Sequence, residues 1–262
     1  MNNIRKLLYD GEIIHLTGTT SSRTIVRKTH DLINNYFGGN LREIHTHLSN
    51  SDFLRKLSLM RKELNSSEFR EISWKILDDL GFDHELYAID QVRLRAIVPN
   101  AHNINAARAV YFAHRDTWYG NSQSQINCWI PLHDIDPNEG FDIFANYFSK
   151  AVENDSILFD YDKFRDTVGW QSCKESSKKY VYPSLIGEIN KEKIVPIFGN
   201  QGSIHLFSAA HLHQTKCIIG TKVRFSLDFR FVNVFDDNQG VGAPNVDNQS
   251  QGAAIKDYFH FK

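Results

Sequence analysis

The sequence predicts a mainly β protein with flanking helices, a sandwich or barrel whose N-terminal helical region packs on the sheet. Three observations point there. Apolar residues recur at helical spacing up to about residue 82 and alternate with polar ones from about residue 86 onward. The clearest strand, residues 223–234, places Val223, Phe225, Leu227, Phe229 and Phe231 on one face and Arg224, Ser226, Asp228 and Arg230 on the other. Strong turn signals, Gly120-Asn121 and Gly199-Asn200-Gln201-Gly202, punctuate the alternating runs. Helices first and strands after is the order of a β core with a helical flank.

Taken in order, residues 12–16 read as a short strand closed by Gly18. Ser21-Ser22 opens a helix over residues 23–37, with Ile25, Leu32, Ile33 and Phe37 apolar, and Gly38-Gly39 stops it. Residues 40–82 are helical in character, with Leu54, Leu57, Leu59 and Met60, then Phe69, Ile72, Ile76 and Leu77, ended by Gly81. Residues 86–98 read as strands, including 91–95. Residues 109–113 are small, β-branched and aromatic, and so read as a strand. Residues 123–130 alternate. Residues 131–140 form a loop that holds His133-Asp134, and residues 141–168 are aromatic and irregular. Residues 170–179 are a polar excursion, 181–189 and 194–198 are strands broken by Pro183 and Pro196, and 203–213 begins as a strand. Residues 240–252 form a loop before a short terminal segment. The expected organisation is one domain over 1–262: mostly helical support to 85, a β core over 86–235 with a lid-like insert near 141–180, and a tail over 236–262. No internal repeat is visible.

Composition narrows the function classes. The 262 residues are 41% hydrophobic and 23% charged, ordinary for a chain that buries a core. A net charge of −1 gives no general affinity for nucleic acid or an anionic membrane, so a small-molecule substrate is the expected partner. Nothing in the residues sets an oligomeric state. Cys128, Cys173 and Cys217 are odd in number and lack C-x-x-C spacing, which speaks against a disulfide framework or zinc ribbon. No apolar run follows the first residues and none approaches bilayer length, so a cytoplasmic location is expected.

The chemistry centres on residues 110–131, and within them on His114-Arg115-Asp116. In an extended chain His114 and Asp116 share a face and Arg115 points away. A histidine and a carboxylate so aimed are two thirds of a 2-His-1-carboxylate site, the ligand set that leaves positions open on Fe(II) for a co-substrate and oxygen. With 12 histidines in the chain, about one His-x-Asp arises by chance, so context has to carry the motif. His211 and His213 both offer a third ligand, because they share parity if extended. Arg224 follows on the polar face of the next strand. Its fork suits the distal carboxylate of a 2-oxo acid chelated to iron, and a hairpin turning at Gly220 would set it beside His213. Gln123, Gln125, Asn127 and Trp129 share a face. Gln125 and Asn127 are candidate partners of that co-substrate, and Trp129 is a pocket wall. Arg230 is a candidate for a substrate anion, and Trp118 and Tyr119 for the substrate entrance.

Five segments, H-R-D-T-W-Y-G-N, Q-I-N-C-W-I-P-L, S-A-A-H-L-H-Q-T, R-F-S-L-D-F-R and G-A-P-N-V-D, together resemble the Fe(II)/2-oxoglutarate-dependent oxygenases. The likeness is to their phytanoyl-CoA dioxygenase-like branch and to bacterial natural-product oxygenases near it, and it spans roughly residues 95–259. The resemblance implies a double-stranded β-helix (a cupin-like jelly roll). It also implies His114, Asp116 and His213 on Fe(II), Arg224 on 2-oxoglutarate, and use of O2 with release of succinate and CO2. Halogenating relatives carry a small residue in place of the carboxylate, so Asp116 points to hydroxylation, desaturation or cyclisation. The family often has Asn where Ile218 stands, and this departure keeps His211 as the alternative ligand. The competing readings are a cupin-like metal enzyme that uses no 2-oxoglutarate and a non-catalytic binding protein.

Overall fold

The computed structural model describes residues 3–103, 110–167 and 182–261. Cys173, the polar excursion at 170–179, Ala109 and Val181 lie outside these residues. The N-terminal helices are α1 (Asn3–Tyr9), α2 (Thr20–Phe37), α3 (Asn50–Leu64) and α4 (Ser67–Asp79). Helix α2 starts earlier than its apolar pattern, because the Thr19 side chain accepts the Ser22 N–H as an N-cap. It ends where Gly38 takes a φ of 67°, a conformation glycine adopts without penalty. Helix α3 is capped by Ser49 and buries Phe53, Leu57, Met60 and Leu64, one stripe at helical spacing. Leu54 and Leu59 fall off that stripe and are exposed.

Among the described residues the strands form two antiparallel sheets. They are β1 (Ile14–Leu16), β2 (Tyr87–Ile89), β3 (Arg93–Ile97), β4 (Gln125–Pro131), β5 (Phe141–Phe144), β6 (Ile194–Ile197), β7 (Ile204–Ser208), β8 (His213–Thr215), β9 (Arg224–Asn233) and β10 (Phe259–His260). The larger sheet runs β1-β7-β4-β9-β2-β10, with β3 also on β9, and the smaller runs β6-β5-β8. From β4 to β9 the chain passes repeatedly between the two sheets. Helices α5 (Tyr161–Thr167) and α6 (Val234–Asn238) follow β5 and β9.

The period-2 pattern decides what lies on each side of the larger sheet. Ile126, Cys128 and Ile130 of β4, Ile204 and Leu206 of β7, and Phe225, Leu227, Phe229 and Phe231 of β9 join the apolar faces of α2, α3 and α4 in one core. The opposite face carries Asn127, Trp129, His205, Phe207 and the polar row of β9. There the smaller sheet covers it: Phe141 of β5 packs on Trp129 and Phe207 at centroid distances of 5.4 and 5.5 Å.

Several expectations change. Residues 110–113 form no strand, only a turn before His114. Residues 182–189 make only an isolated bridge, Leu185 to Asn154. The aromatic stretch from 141 is not a continuous insert, because its first four residues are the central strand of the smaller sheet. The expected hairpin from His213 through Gly220 to Arg224 is absent: β8 pairs with β5, whereas β9 pairs with β4, β2 and β3. Among the described residues no helix is long and apolar enough to cross a membrane.

Phe229 is wholly buried between the sheet and the helices. Its replacement by alanine is expected to cost about 3–5 kcal/mol of stability, read as a lower urea midpoint with unchanged slope.

Candidate metal centre

His114 is held by its backbone. Its N–H donates to the His213 carbonyl at 3.0 Å, and the His213 N–H donates back at 2.9 Å, a two-bond bridge that opposes the two residues. Their rings lie 4.4 Å apart between centroids. Each ring is oriented by a carbonyl two residues upstream: His114 Nδ1 lies 2.9 Å from Phe112 O, and His213 Nδ1 2.9 Å from His211 O. An Nδ1–H so engaged leaves Nε2 as the lone-pair donor, the tautomer a metal takes.

Asp116 opens a 3-10 turn, Asp116–Tyr119, and brings Oδ1 to 3.9 Å from His114 Nε2. One ligand atom from each of His114, Asp116 and His213 lies within 4.8 Å of the others, the single such cluster among the described residues. These separations exceed the roughly 3 Å between donors bound to one ion through bonds of about 2.1 Å. Small side-chain rotations supply the difference.

The electrostatics suit a cation. Burial alone pushes the Asp116 carboxyl upward, but Arg230, the two histidines and the Asn127 amide outweigh it, so the group stays ionised well below the usual range. Burial, reinforced by His213, depresses His114 to about 3 against the pull of Asp116. The site thus presents a neutral imidazole beside a carboxylate, the protonation states a metal needs.

A cavity of about 280 Å³ opens on the three residues and extends along β9 between the sheets. Six residues from Arg230 on that strand, Arg224 lines the same cavity. It is 2% exposed, and its Nε and Nη1 have no hydrogen-bond partner. Among the described residues no carboxylate stands within ion-pair distance of it. Burial, with Arg95 nearby, pulls its guanidinium down to about 10, so it remains charged at neutral pH. Ser226, next on the same face, has a buried hydroxyl that is equally without partner. Buried donors in a native fold are normally satisfied. Arg224 presents such donors at the cavity wall, where they fit a bound carboxylate. The Trp129 ring lies 6.0 Å from the Arg224 guanidinium.

The other sequence candidates divide. Tyr119 lines the cavity, sets its ring edge on His114 at 5.3 Å, and donates its hydroxyl to Pro183 O at 3.0 Å. Trp129 lines the cavity as well. Trp118 is not at the entrance: the 3-10 turn sends its indole into the interior, where Nε1 donates to Asp247 at 2.8 Å. Asn127 reaches the cavity, but its amide donates to Asp116 Oδ2 at 2.6 Å, and Gln125 lies behind it, donating to Asn127 Oδ1 at 2.9 Å. Arg230 lines the cavity too, with Nη2 given to Asp116 Oδ1 at 3.1 Å instead of standing open for a substrate anion. Arg115 points away as parity requires, into Asp247 and the carbonyls of Ala210, Tyr147 and Lys150.

His211 shares parity with His213 only on paper. Residues 209–211 form a turn, and the His211 ring faces the Gly11 carbonyl at 3.1 Å, away from the cluster. Arg95 was not singled out by sequence; it lines the cavity and forks onto Asp228 at 2.6 and 3.1 Å. Its alternation with Leu94 on β3 was the available signal.

No family model matches the chain, and no curated protein matches it either. Solved structures do. A non-heme monooxygenase, ThoJ in its apo form, aligns with a TM-score of 0.52 at 12% identity, over 88% of this chain and 77% of that one. EvdO2 of Micromonospora carbonacea var. aurantiaca aligns with a TM-score of 0.51 at 10% identity, over 89% and 91%. The same protein complexed with 2-oxoglutarate gives 0.50 at 10% identity over the same shares. At such identity the likeness is one of fold.

Two outcomes are expected. His213→Ala abolishes stoichiometric binding of a divalent metal, measured by metal analysis after gel filtration, whereas His211→Ala retains it. Second, burial depresses His114 and His205 to about 3 and His211 to about 4, so the unfolded chain binds more protons between those values and 6.5. The metal-free protein therefore loses stability as pH falls from 7 to about 5.5, above the range where ordinary carboxylates titrate. His205→Gln flattens that slope in urea unfolding at a series of pH values.

Proposed function

We propose that this chain is a non-haem Fe(II)/2-oxoglutarate-dependent oxygenase that hydroxylates an unactivated C–H bond of a small molecule. The two sheets are read as the walls of a double-stranded β-helix within a single 1–262 domain, acting in the cytoplasm. The observation that carries the proposal is one cavity with two features: a His-Asp-His cluster, and the buried, unpartnered Arg224 of β9. A similar fold has been solved with 2-oxoglutarate, which supports that co-substrate here. A metal enzyme using no 2-oxo acid, or a binding protein, would leave the Arg224 guanidinium without purpose.

His114 and His213 would hold the ion through Nε2 and Asp116 through one carboxylate oxygen. Bound Fe(II), with 2-oxoglutarate and O2, supplies the oxidising chemistry, releasing succinate and CO2 as oxygen enters the substrate. The protein's part is placement and exclusion. Arg224 forks onto the far carboxylate of 2-oxoglutarate, and its unsatisfied desolvation is relieved when that anion binds. Trp129, Phe141 and Phe207 wall the cavity with apolar surface, which keeps bulk water from the reacting centre. The cavity volume favours a small metabolite over a polymer.

Anaerobic addition of Fe(II) and 2-oxoglutarate is expected to raise a weak visible charge-transfer band that is lost in His114→Ala. Arg224→Met should raise the 2-oxoglutarate concentration for half-saturation of that band by roughly ten- to hundredfold, the worth of a hydrogen-bonded ion pair. Tight iron binding with no band from the unsubstituted protein overturns the proposal.

A further inference from the structure

Two buried chains of hydrogen bonds and charges converge on Asp116 from parts of the sequence far from it. In the first, Tyr258 donates its hydroxyl to Gln125 Oε1 at 2.7 Å, Gln125 Nε2 donates to Asn127 Oδ1 at 2.9 Å, and Asn127 Nδ2 donates to Asp116 Oδ2 at 2.6 Å. The direction follows from chemistry. An ionised carboxylate only accepts, so Asn127 must turn its NH2 to Asp116 and its carbonyl to Gln125. Gln125 must then turn its own carbonyl to Tyr258, which is left as the donor. Burial holds the Tyr258 phenol well above its ordinary value, so it keeps the proton it gives. A side branch closes the ring: the Tyr258 hydroxyl is 3.3 Å from Asn121 Oδ1, and Asn121 Nδ2 donates to the Asp116 carbonyl at 2.8 Å.

The second chain alternates in charge. Arg93 Nη1 lies 2.5 Å from Asp90 Oδ2, that oxygen lies 3.7 Å from Arg230 Nη1, and Arg230 Nη2 donates to Asp116 Oδ1 at 3.1 Å. No side chain in it is more than 10% exposed. The Asp90 N–H also donates to the Arg230 carbonyl at 2.8 Å, which ties the acid to the strand that carries the arginine.

We infer that Tyr258, Gln125, Asn127 and Arg230 are positioning residues that set which oxygen Asp116 offers to a metal. The inference rests on the metal reading proposed above. Asn127 turns Oδ2 back toward the larger sheet at 2.6 Å, while Oδ1, held more loosely by Arg230 at 3.1 Å, is the oxygen nearest His114 Nε2 and keeps a second lone pair to offer an ion. The carboxylate is thereby kept from turning both oxygens to it. Tyr258 does this from 142 positions down the chain, on the segment leading into β10. The roles that the sequence suggested for Gln125 and Asn127 toward the co-substrate, and for Arg230 toward a substrate anion, are replaced by this one.

The test uses Co(II) alone, titrated into the metal-free full-length protein and followed by its visible d–d absorption. Tyr258→Phe removes one oxygen and no volume. Gln125→Glu is isosteric, but its ionised carboxylate cannot donate to Asn127, so two acceptors face each other and the chain to Asp116 is broken. Both variants are expected to weaken Co(II) binding by about tenfold or more, the usual effect of losing an outer partner of a ligand. Both should also change the position or intensity of the d–d bands. A merely structural role would shift the unfolding midpoint and leave the bands in place. Unchanged affinity and unchanged bands in whichever of the two variants folds overturn the inference. No Co(II) binding by the unsubstituted protein overturns the metal reading, and the inference with it.

Discussion

A row of polar side chains on one strand is buried, and that desolvation is the constraint on which the site depends. Arg224, Ser226, Asp228 and Arg230 project from β9 into the space between the sheets, where water is largely excluded. Charges in such a place must be paired, or else they mark where a ligand goes. Asp228 takes Arg95, and Arg230 takes Asp116 with Asp90 close by. Arg224 takes none among the described residues, and Ser226 beside it is also unsatisfied. The pairing pattern thus sorts one strand face into an end beside the His-Asp-His cluster, where the charges are compensated, and an end whose buried donors are unmet among the described residues, the end proposed above for an anion.

The cluster end has a second support in the backbone bridge between His114 and His213. Two N–H···O bonds set the residues opposite each other, so their rings approach whatever the surrounding loops do. The bridge joins the turn before the 3-10 helix to the first residue of β8, and β8 lies in the smaller sheet. Arg230 and Asn127 reach Asp116 from the larger sheet. The cluster is consequently held from both sides of the cavity, and neither sheet assembles it alone. This arrangement also excludes His211, whose turn geometry carries it toward the Gly11 carbonyl.

Much of this was legible in the residues. The alternation of β9 assigned its two faces correctly over residues 224–231, because side-chain direction in a strand depends only on parity. Parity likewise put Asn127 and Trp129 on the cavity side and Arg115 away from it. The helical stripe of Phe53, Leu57 and Met60 was readable for the same kind of reason. Parity failed where the chain was not extended. It misplaced Trp118, which lies in a 3-10 turn, and it could not separate His211 from His213 across a turn. Residues 110–113 carry strand-forming residues but find no strand to pair with, and β propensity without a partner makes no strand.

By itself, then, the sequence determined which metal-ligating residue types were at hand, where the apolar faces lay, and that helices would precede strands, since these are matters of local composition and period. Tertiary structure alone decided that β8 and β9 belong to different sheets, and that Arg95 meets Asp228. It alone turned Asn127, Gln125 and Arg230 toward Asp116 and brought Tyr258 in behind them. Those pairings join residues up to 133 positions apart. They are selected by the cost of leaving a buried charge or amide unmet, a quantity that exists only once the sheets have closed over it.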